Sequence, residues 1–411
     1  MIKNSTYKQT SIGLIPRDWE VKKFSDVTLI KGDYGINAAA VEFDADLPAY
    51  LRITDIDDDG NFNSEKKKSV DNINSDNFYL NKNDLVFVRT GATVGKSYLY
   101  NENDGRLVFA GFLIRFRIDT SKANDYFLWS YTKSKPYWDW VKAISTRSGQ
   151  PGINSSEYSS LNLPIPPLPE QQKIASILST CDMAIDTCKG IIDNLKKRNS
   201  GLTQQLLSGK TRAKGYEKKW KIREINECMS FTPRPITKPT ENYLALGLRS
   251  HGKGVFHKTD FDPASIAMET MYEVKENDLI INITFAWEHA VAIVSKKDEG
   301  GLVSHRFPTY TFNSQNAIPE YFRHFILQKR FKFLLELISP GGAGRNRVMS
   351  KTDFLKLEIK IPDIEEQKAI ADILDKATEE LNQYQQKLQT LQVQKKGLMQ
   401  QLLTGKTRVK I

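Results

Sequence analysis

Apolar residues recur at alternating steps of four and three along two long segments of the chain. The first segment runs over residues 174–206, and the second over residues 370–402. This spacing places the apolar side chains on one narrow helical stripe, as in a coiled-coil seam. The seam positions are Ile174, Leu178, Cys181, Ile185, Cys188, Ile192, Leu195, Leu202 and Leu206 in the first segment, and Ile370, Leu374, Ala377, Leu381, Tyr384, Leu388, Leu391, Leu398 and Leu402 in the second. We predict two helices of about 35 to 40 residues each, or about 55 Å.

The two predicted helices share one seam phase, with Asn199 and Lys395 at matching polar steps. Each follows a proline-rich stretch, and they end at Gly209 and Gly405. Two helices with matched narrow seams are suited to pair with each other, and a pseudo-twofold relation would make the pair antiparallel. The alternative is that each helix packs only on its own domain. We favour the antiparallel pair.

The chain also repeats itself at a fixed offset. Residues 201–212 are GLTQQLLSGKTR and residues 397–408 are GLMQQLLTGKTR, so that position 201 corresponds to position 397. The same offset holds without a gap back to Pro166 and Pro362. An internal repeat of this kind predicts a duplicated architecture. We divide the chain into a first variable domain (1–165), a first helical segment (166–212), a second variable domain (213–361) and a second helical segment (362–411).

The two variable domains resemble each other more weakly, and both mix strand and helix patterns. Asn83-Asp84-Leu85 of the first corresponds to Asn277-Asp278-Leu279 of the second. Strands are predicted at 85–89, 107–118, 279–283, 291–295 and 309–313, and helices at 124–133 and 319–337. The predicted fold class is α+β, with two mixed α/β domains joined by two long antiparallel coiled-coil helices in an internal pseudo-twofold repeat.

Charge adds a functional indication. The formal net charge is +10, and the excess is concentrated at matching places in the two copies. Residues 196–223 hold ten Lys or Arg and one acid, and residues 387–411 hold six and none. Binding to a polyanion such as nucleic acid is favoured over an ordinary solvated helix face. No apolar run approaches the length of a membrane span, and we expect a cytoplasmic protein.

Two loops resemble ligand sites without meeting their requirements. Residues 91–97 (GATVGKS) have three residues between the glycines where a phosphate-binding P-loop has four, and strand-like residues follow. Residues 55–60 (DIDDDG) open like a calcium loop, but Lys66 stands at the twelfth position, which needs a glutamate. We expect hairpin turns at both places.

The sequence contains no recognisable catalytic motif. Its histidines form neither a metalloprotease motif nor a Ser/His/Asp pattern; they are His251, His257, His289, His305 and His324. Nuclease-like fragments around Asp363 and Glu366 lie too close together and begin a helix. We expect a protein without an active site or a metal site of its own.

Three stretches resemble the specificity subunits (HsdS) of type I restriction-modification systems. They are residues 15–19 (IPRDW), residues 89–96 (RTGATVGK) and residues 163–172 (LPIPPLPEQQ), followed by the repeated QQLL-Ser/Thr-GKTR endings. The resemblance covers essentially the whole chain. It implies two target recognition domains, each recognising one half of a split, asymmetric site in double-stranded DNA, and a helical spacer that sets the distance between the halves.

The resemblance also implies partners. Two methyltransferase subunits (HsdM) would dock on the helices and modify adenine with S-adenosylmethionine, and motor-nuclease subunits (HsdR) would add ATP- and Mg-dependent translocation and cleavage. This chain would bind none of those cofactors. The main alternative is a structural coiled-coil adaptor without sequence-specific DNA binding.

Candidate DNA contacts are polar loop residues at places that match between the two copies but differ in identity. They are Arg89, Thr90, Thr93, Lys96, Arg147, Ser148 and Gln150 in the first copy, and Asn282, Thr284, Trp287, His289, Arg345, Asn346 and Arg347 in the second. The glycine-rich stretches 149–152 and 341–344 would let the backbone approach DNA. Trp287 is left with two alternatives, stacking in a groove or filling the domain core.

Overall fold

The computed structural model describes residues 6–146, 151–341 and 347–411. The chain divides into two compact units. Unit 1 comprises residues 1–189 and 386–411, and unit 2 comprises residues 190–385. Each unit therefore contains one variable domain and a part of both helical segments. Among the described residues, no helix combines the length and the apolar character needed to cross a bilayer.

Within its described residues, unit 1 is built mainly of short strands and contains three short α-helices besides several 3-10 turns. Its strands are β1 (Tyr7–Thr10), β2 (Gly13–Pro16), β3 (Glu20–Lys23), β4 (Thr28–Tyr34), β5 (Ala40–Glu42), β6 (Ala49–Leu51), β7 (Lys68–Val70), β8 (Asp84–Val88), β9 (Ser97–Leu99), β10 (Leu107–Phe109), β11 (Leu113–Ile118) and β12 (Asn162–Ile165). The helices are α1 (Asp125–Tyr131), α2 (Lys135–Ser145) and α3 (Ser155–Ser159), followed by the long helix α4 (Leu168–Ser208), which continues into unit 2.

Unit 2 has a similar content. Its strands are β13 (Lys221–Glu224), β14 (Met229–Phe231), β15 (Pro235–Thr237), β16 (Tyr243–Leu248), β17 (Val255–Phe261), β18 (Thr270–Glu273), β19 (Leu279–Ile281), β20 (Val291–Ile293), β21 (Leu302–Val303), β22 (Thr309–Phe312) and β23 (Glu358–Ile361). The helices are α5 (Ile225–Cys228), α6 (Pro319–Phe325), α7 (Lys329–Leu337) and α8 (Lys351–Leu355), followed by the long helix α9 (Ile364–Leu402), whose last part belongs to unit 1.

Each unit has a central antiparallel sheet with the same topology. The strand order is β4-β11-β8-β9 in unit 1 and β14-β22-β19-β20 in unit 2. Strand β8 is apolar at successive positions because both faces of the sheet are covered: Leu85 and Phe87 enter one buried cluster, and Val86 and Val88 enter another. Each unit also has a second, mixed sheet, β10-β6-β7-β5 in unit 1 and β15-β18-β21-β16-β17 in unit 2.

A two-stranded sheet joins the beginning of each variable domain to its end. Strand β3 pairs with β12, which directly precedes α4, and β13 pairs with β23, which directly precedes α9. The pairing sets Glu20 opposite Ile165 in unit 1 and Lys221 opposite Ile361 in unit 2. This pairing places Trp19, which precedes β3, and Trp220, which precedes β13, near the start of a long helix in each unit.

Most predicted elements agree with the structure to within two residues, but two predictions joined elements that the structure separates. The predicted strand 107–118 is divided into β10 and β11 by a turn, in which the Leu113 amide donates to the Ala110 carbonyl (2.9 Å). Gly35 packs so closely on this turn that a Cβ would lie 2.3 Å from the Ala110 oxygen. The predicted helix 319–337 is α6 and α7, separated at Gln328, whose backbone is extended. Apolar periodicity continues through both breaks, and therefore conceals them.

The long helices run antiparallel within each unit, as predicted. In unit 1 the partner of Glu170 is Arg408 and that of Asp182 is Lys395, so the numbers run in opposite directions. In unit 2 the Asn199 amide donates to the Ala377 carbonyl (2.7 Å), and Arg198 donates to Glu380 (2.7 Å). All eighteen seam residues are buried or half-buried. The helix termini also pack on the variable domains, with Ile174 and Leu402 in the core of unit 1.

The first long helix ends directly before Gly209 as predicted, whereas the second ends at Leu402, three residues before the predicted Gly405. Gly209 and Gly405 follow α4 and α9 with φ of +71° and +69°, the left-handed conformation that glycine adopts without strain.

Candidate nucleic-acid interface

The loop between β8 and β9 is a compact hairpin connection. The Val88 amide donates to the Lys96 carbonyl (2.8 Å), and the Gly95 amide donates back to Val88 (3.1 Å). Gly95 has φ of +92°, and a Cβ there would meet the Val141 side chain at 2.7 Å. A strand follows, as the sequence predicted. The loop thus lacks the helix N-terminus on which a P-loop binds phosphate.

The hairpin at Asp57–Asn61 is also confirmed. The Asp57 amide donates to the Asn61 carbonyl (3.0 Å), the Asp57 carboxylate accepts from the Asn61 amide (2.8 Å), and Ile56 pairs with Phe62 across the turn. Among the described residues, no cluster of three or more His, Cys, Asp or Glu side chains is arranged to hold a metal ion.

Arg89 lies where three segments of unit 1 meet. Its amide donates to the Phe112 carbonyl (3.0 Å), and its carbonyl accepts from the Ile153 amide (2.8 Å). Its guanidinium carbon lies 4.8 Å from the centroid of the Tyr34 ring, within the range of a cation–π interaction. Tyr34 is 41% exposed and Phe112 is 58% exposed. We call Tyr34, Arg89, Thr90 and Phe112 the first loop cluster.

The other predicted contact residues of the first copy differ in how free their side chains are to bind DNA. The Thr90 hydroxyl donates a long hydrogen bond to the Pro151 carbonyl (3.4 Å), and Thr93 is half-buried in the hairpin. The Lys96 ammonium pairs with the exposed Asp58 (2.6 Å), and this lysine holds the pKa of the Asp58 carboxyl below its ordinary value. Arg147, Ser148 and Gln150 lie outside the described residues.

Unit 2 repeats the backbone arrangement around Arg89 with different side chains. The Ile283 amide donates to the Arg306 carbonyl (3.0 Å), and the Ile283 carbonyl accepts from the Met349 amide (2.9 Å). By these two hydrogen bonds, Ile283 is the counterpart of Arg89 and Arg306 is the counterpart of Phe112. The sequence analysis predicted DNA contacts at Asn282 and Thr284, the residues on either side of Ile283.

Three predicted contacts in the second copy support the loop instead of facing solvent. Asn282, Thr284 and His289 are each at least 92% buried. The Asn282 side-chain oxygen accepts from the Thr284 amide (3.0 Å), and the Thr284 hydroxyl accepts from Arg306 (3.2 Å). His289 has φ of +67°, and its ring lies 2.6 Å from the Ile326 carbonyl. Direct base contact by these three side chains is therefore disfavoured, because base edges can reach only exposed groups.

Trp287 fits neither of its two alternatives in full. It is half-buried, and its indole N–H donates to the Thr284 carbonyl (3.1 Å). The Arg347 guanidinium lies 5.2 Å from the ring centroid, and its Nε donates to the Ser339 carbonyl (3.2 Å). Arg345 and Asn346 lie outside the described residues. We call Ile283, Thr284, Trp287, Arg306 and Arg347 the second loop cluster.

Charged residues in the frame of the variable domains are paired, and Arg347 of the second loop cluster also lies 3.8 Å from the Glu336 carboxylate. Arg89 and Arg306 differ from these residues. Arg115 pairs with Asp33 (2.7 Å), and Arg117 pairs with the fully buried Asp84 (2.7 Å). In unit 2 Arg234 pairs with Asp278 (2.6 Å). Within the described parts of the chain, no carboxylate lies within 4.0 Å of the cationic groups of Arg89 and Arg306. These two guanidinium groups thus keep donors for another acceptor.

A second repeated arrangement, which the sequence analysis missed, holds each variable domain to the long helices. In unit 1 the buried Glu170 carboxylate accepts from the Trp19 indole (3.0 Å) and from Arg408 Nε and Nη2 (2.6 and 2.8 Å). Arg408 also donates two hydrogen bonds to Asp18 (2.8 and 2.7 Å). These contacts hold the pKa of the Asp18 carboxyl below, and that of Arg408 above, their ordinary values. We call Trp19, Glu170 and Arg408 the first clasp.

The second clasp in unit 2 consists of Trp220, Glu366 and Arg212. The Glu366 carboxylate accepts from the Trp220 indole (3.1 Å) and from Arg212 Nε and Nη2 (2.8 and 2.6 Å). The repeated GKTR and Glu-Gln motifs are explained by this contact, because each arginine ends one helical segment and binds the glutamate that begins the other. The available sequence signal was the match of Glu and Arg at the repeat offset, together with a tryptophan near the start of each variable domain.

The glutamine after each clasp glutamate has an equally defined role. The Gln171 side chain accepts from the Asn124 amide (2.8 Å) and donates to the Pro166 carbonyl (2.8 Å). Gln367 repeats this by accepting from the Ile318 amide (3.2 Å) and donating to the Pro362 carbonyl (2.9 Å). The residues around Glu366 that resemble nuclease fragments are thus structural.

Comparison with known proteins yields one consistent family. The family model described as "Type I restriction modification DNA specificity domain" matches twice, at residues 16–197 and 218–392. A type I restriction enzyme MjaVIII specificity subunit from Methanocaldococcus jannaschii is 23% identical, with 99% of this chain and 97% of the relative covered. A putative MjaX specificity subunit from the same organism is 27% identical, with 99% and 98% covered.

The fold also has a solved counterpart. The crystal structure of a type I restriction-modification S subunit from M. genitalium superposes with a TM-score of 0.57 at 14% sequence identity. The superposition covers 96% of each chain. At this identity the similarity concerns the fold alone.

Proposed function

The chain belongs to the type I restriction-modification DNA specificity family, and from this premise we propose that its loop clusters each recognise one half of a split, asymmetric DNA target. As a specificity subunit, it serves DNA target recognition and is itself non-catalytic. The family membership favours this function over that of a structural adaptor.

One observation carries the proposal: the two variable domains repeat the backbone of a loop cluster while changing its exposed side chains. The amide of Arg89 or Ile283 is bound to the turn before the next central strand, at Phe112 or Arg306. Sequence is recognised by side chains at base edges, whereas contacts to phosphate position the protein. Two domains that recognise different half-sites require this combination of a constant frame and variable tips.

We propose further that the long helices set the number of unread base pairs between the half-sites. Inserting one heptad into both helices, at matching places around residues 189 and 386, would add about 10 Å to the antiparallel pair. This is about three base pairs of B-DNA. A methylated motif with an unchanged spacer in this variant would contradict the proposal.

Partner subunits form part of the same proposal. Methyltransferase subunits (HsdM), which would bind S-adenosylmethionine, dock on the long helices, and motor-nuclease subunits (HsdR), which would bind ATP and Mg, join them. The complex would then act as an adenine methyltransferase and an ATP-dependent endonuclease. Support comes from two exposed apolar residues on the helices of unit 1, Met183 (62%) and Val393 (65%). Such exposed apolar side chains on long helices are suited to bury against another protein.

The experiment that tests the function is genome-wide methylation sequencing of the source strain. Deleting this gene should abolish N6-methyladenine in one split, asymmetric motif, and returning the intact gene should restore it. An unchanged methylation profile after deletion would refute the proposal.

A further inference from the structure

The turn between β10 and β11 presents an aromatic ring to solvent between two buried strands. Strand β10 is fully buried, and Leu113 and Ile114 of β11 are fully buried, yet Phe112 between them is 58% exposed. Its carbonyl holds the Arg89 amide, so the ring and the guanidinium project from residues that share one hydrogen bond. A single exposed apolar residue is ordinary on a protein surface. Phe112, however, lies at the tip of the first loop cluster beside Arg89, which suggests a role in DNA recognition.

The corresponding turn of unit 2 presents a cation. The Phe307 amide donates to the Ser304 carbonyl (3.0 Å), and the exposed Arg306 lies in the middle of the turn. The Arg306 guanidinium is bound to the neutral hydroxyl of the buried Thr284 (3.2 Å). A neutral partner orients the guanidinium without neutralising it. Arg306 therefore remains able to bind an acceptor-rich group.

The cationic and apolar side chains thus occupy opposite positions in the two clusters: Arg89 corresponds to Ile283, and Phe112 corresponds to Arg306. The first cluster has its cation at the end of β8 and its exposed apolar group at the turn. The second has the half-buried Ile283, which packs against the core of unit 2, near the end of β19 and its cation at the turn. An arginine fork fits the O6 and N7 acceptors of guanine, and an apolar group fits the methyl group of thymine. Exchanging these groups alters the order of bases that a cluster can accept.

From this exchange we infer that Phe112 and Arg306 determine specificity, each by contacting base edges of one half-site at equivalent places. The inference rests on the proposed function and deepens it. Neither residue was selected by the sequence comparison, because its position in the loop cluster depends on a hydrogen bond across the sheet.

The test uses the full chain, co-expressed with the methyltransferase encoded in its own host. The variants are Phe112→Ala, Arg306→Ala and Arg306→Lys, with Lys360→Ala on β23 as a control for loss of an exposed cation. The readouts are the methylated motif in the genome and competitive binding to duplexes altered in one half-site. Arg306→Ala should reduce discrimination at one half-site by about 10- to 100-fold. Phe112→Ala should reduce discrimination at the other half-site.

Arg306→Lys separates base contact from phosphate contact. Lysine keeps the charge but lacks the planar fork, so base recognition predicts that this variant loses discrimination as Arg306→Ala does. Retained discrimination in Arg306→Lys, together with a uniform loss of affinity in Arg306→Ala, would identify a phosphate contact and overturn the inference for this residue. An unchanged motif in Phe112→Ala would overturn it for Phe112.

Failure of the inference and failure of the proposed function give different results. If the unaltered chain directs no methylated motif, the proposed function fails. If it directs one and neither variant changes discrimination, only the present inference fails. Circular dichroism and the thermal midpoint of each variant show whether the change is confined to recognition.

Discussion

The clasps and the loop clusters occupy corresponding places in the two units, but the repeat preserves them differently. In the clasps the side chains themselves are repeated, and Trp, Glu and Arg make the same hydrogen bonds twice. In the loop clusters only the backbone bonds are repeated, and Arg89 and Phe112 stand where unit 2 has Ile283 and Arg306. A buried carboxylate must keep its donors, whereas an exposed loop side chain can change with little effect on stability. Divergence therefore separates the scaffold from the recognition surface.

The helix seam is intermediate between these two cases. At the matching polar step, Lys395 pairs with Asp182 in unit 1, and Asp182 also accepts from the Tyr126 hydroxyl. In unit 2 Asn199 donates instead to the Ala377 carbonyl. The position is kept polar in both units, while the partner has changed. A satisfied polar group in a seam fixes the register of two helices, and either pair can do so.

The largest expected effect comes from breaking a clasp. Arg408→Ala leaves the fully buried Glu170 carboxylate without its ionic partner. The free energy of unfolding should fall by about 2 to 3 kcal/mol. This is less than the full value for a buried ion pair, because Arg408 is partly exposed. Arg212→Ala should act similarly through Glu366. Urea unfolding followed by circular dichroism measures both. The exposed Lys410→Ala is the matched control and should change stability by under about 0.5 kcal/mol.

A double variant tests whether the clasp acts as one group. Glu170→Ala combined with Arg408→Ala should be less destabilising than the sum of the single variants, because the stranded charge is absent. Additive losses would contradict a clasp that acts as one group. A changed methylated motif in a folded clasp variant would contradict the separation of scaffold and recognition surface.

The next largest effect concerns recognition alone. Arg89→Ala should weaken binding to one half-site by about 10- to 100-fold at fixed salt, because a guanidinium contact to a base contributes about 1 to 3 kcal/mol. The thermal midpoint should stay unchanged, since no described carboxylate depends on Arg89. Fluorescence anisotropy with duplexes altered in one half-site measures this. Equal weakening at both half-sites would contradict a one-domain contact.

A smaller effect of pH is expected in unit 2, where every histidine lies. Burial lowers the pKa of His289 and of His324 below the ordinary value of 6.5, and for His324 the hydrogen bond to Asp375 opposes this in part. The folded state thus keeps the rings neutral while the unfolded chain takes up protons. Stability should therefore fall as the pH drops below about 6.5.

Hydrogen exchange at pH 7.5 and 5.5, corrected for the intrinsic rate, measures the histidine effect in each unit. Protection should decrease in unit 2, and His289→Asn combined with His324→Gln should remove much of the decrease. Asparagine is chosen because it tolerates the left-handed backbone at position 289. An equal decrease in unit 1 would point to groups other than these histidines.

The smallest expected effect is at Lys96, whose partner Asp58 is 98% exposed. Loss of this ion pair in Lys96→Ala should change the free energy of unfolding only slightly, because solvent screens the exposed carboxylate. If the ammonium leaves Asp58 for a phosphate, the variant should lower DNA affinity evenly across sequences and reduce the salt slope by about one. A change confined to one base position would instead place Lys96 among the residues that recognise sequence.

Periodicity and repetition alone determined much of this protein. The seam from Ile174 to Leu206, the end of α4 at Gly209, and the hairpins at 57–61 and 91–95 all followed from local spacing and residue type. These features are predictable because helices, turns and repeats are properties of neighbouring residues. The two predictions that merged elements, at 107–118 and 319–337, failed where a contact with a distant segment or a local change of backbone interrupts a continuous apolar pattern.

Tertiary structure alone decided which polar residues are available. Glu170 and its partner Arg408 are 238 positions apart, and the match between Phe112 and Arg306 depends on backbone bonds across a sheet. Asn282, Thr284 and His289 satisfied every sequence criterion for a contact residue but are buried. The partner and the exposure of a polar side chain depend on segments far away in the chain, and such long-range contacts leave no periodic mark in the sequence.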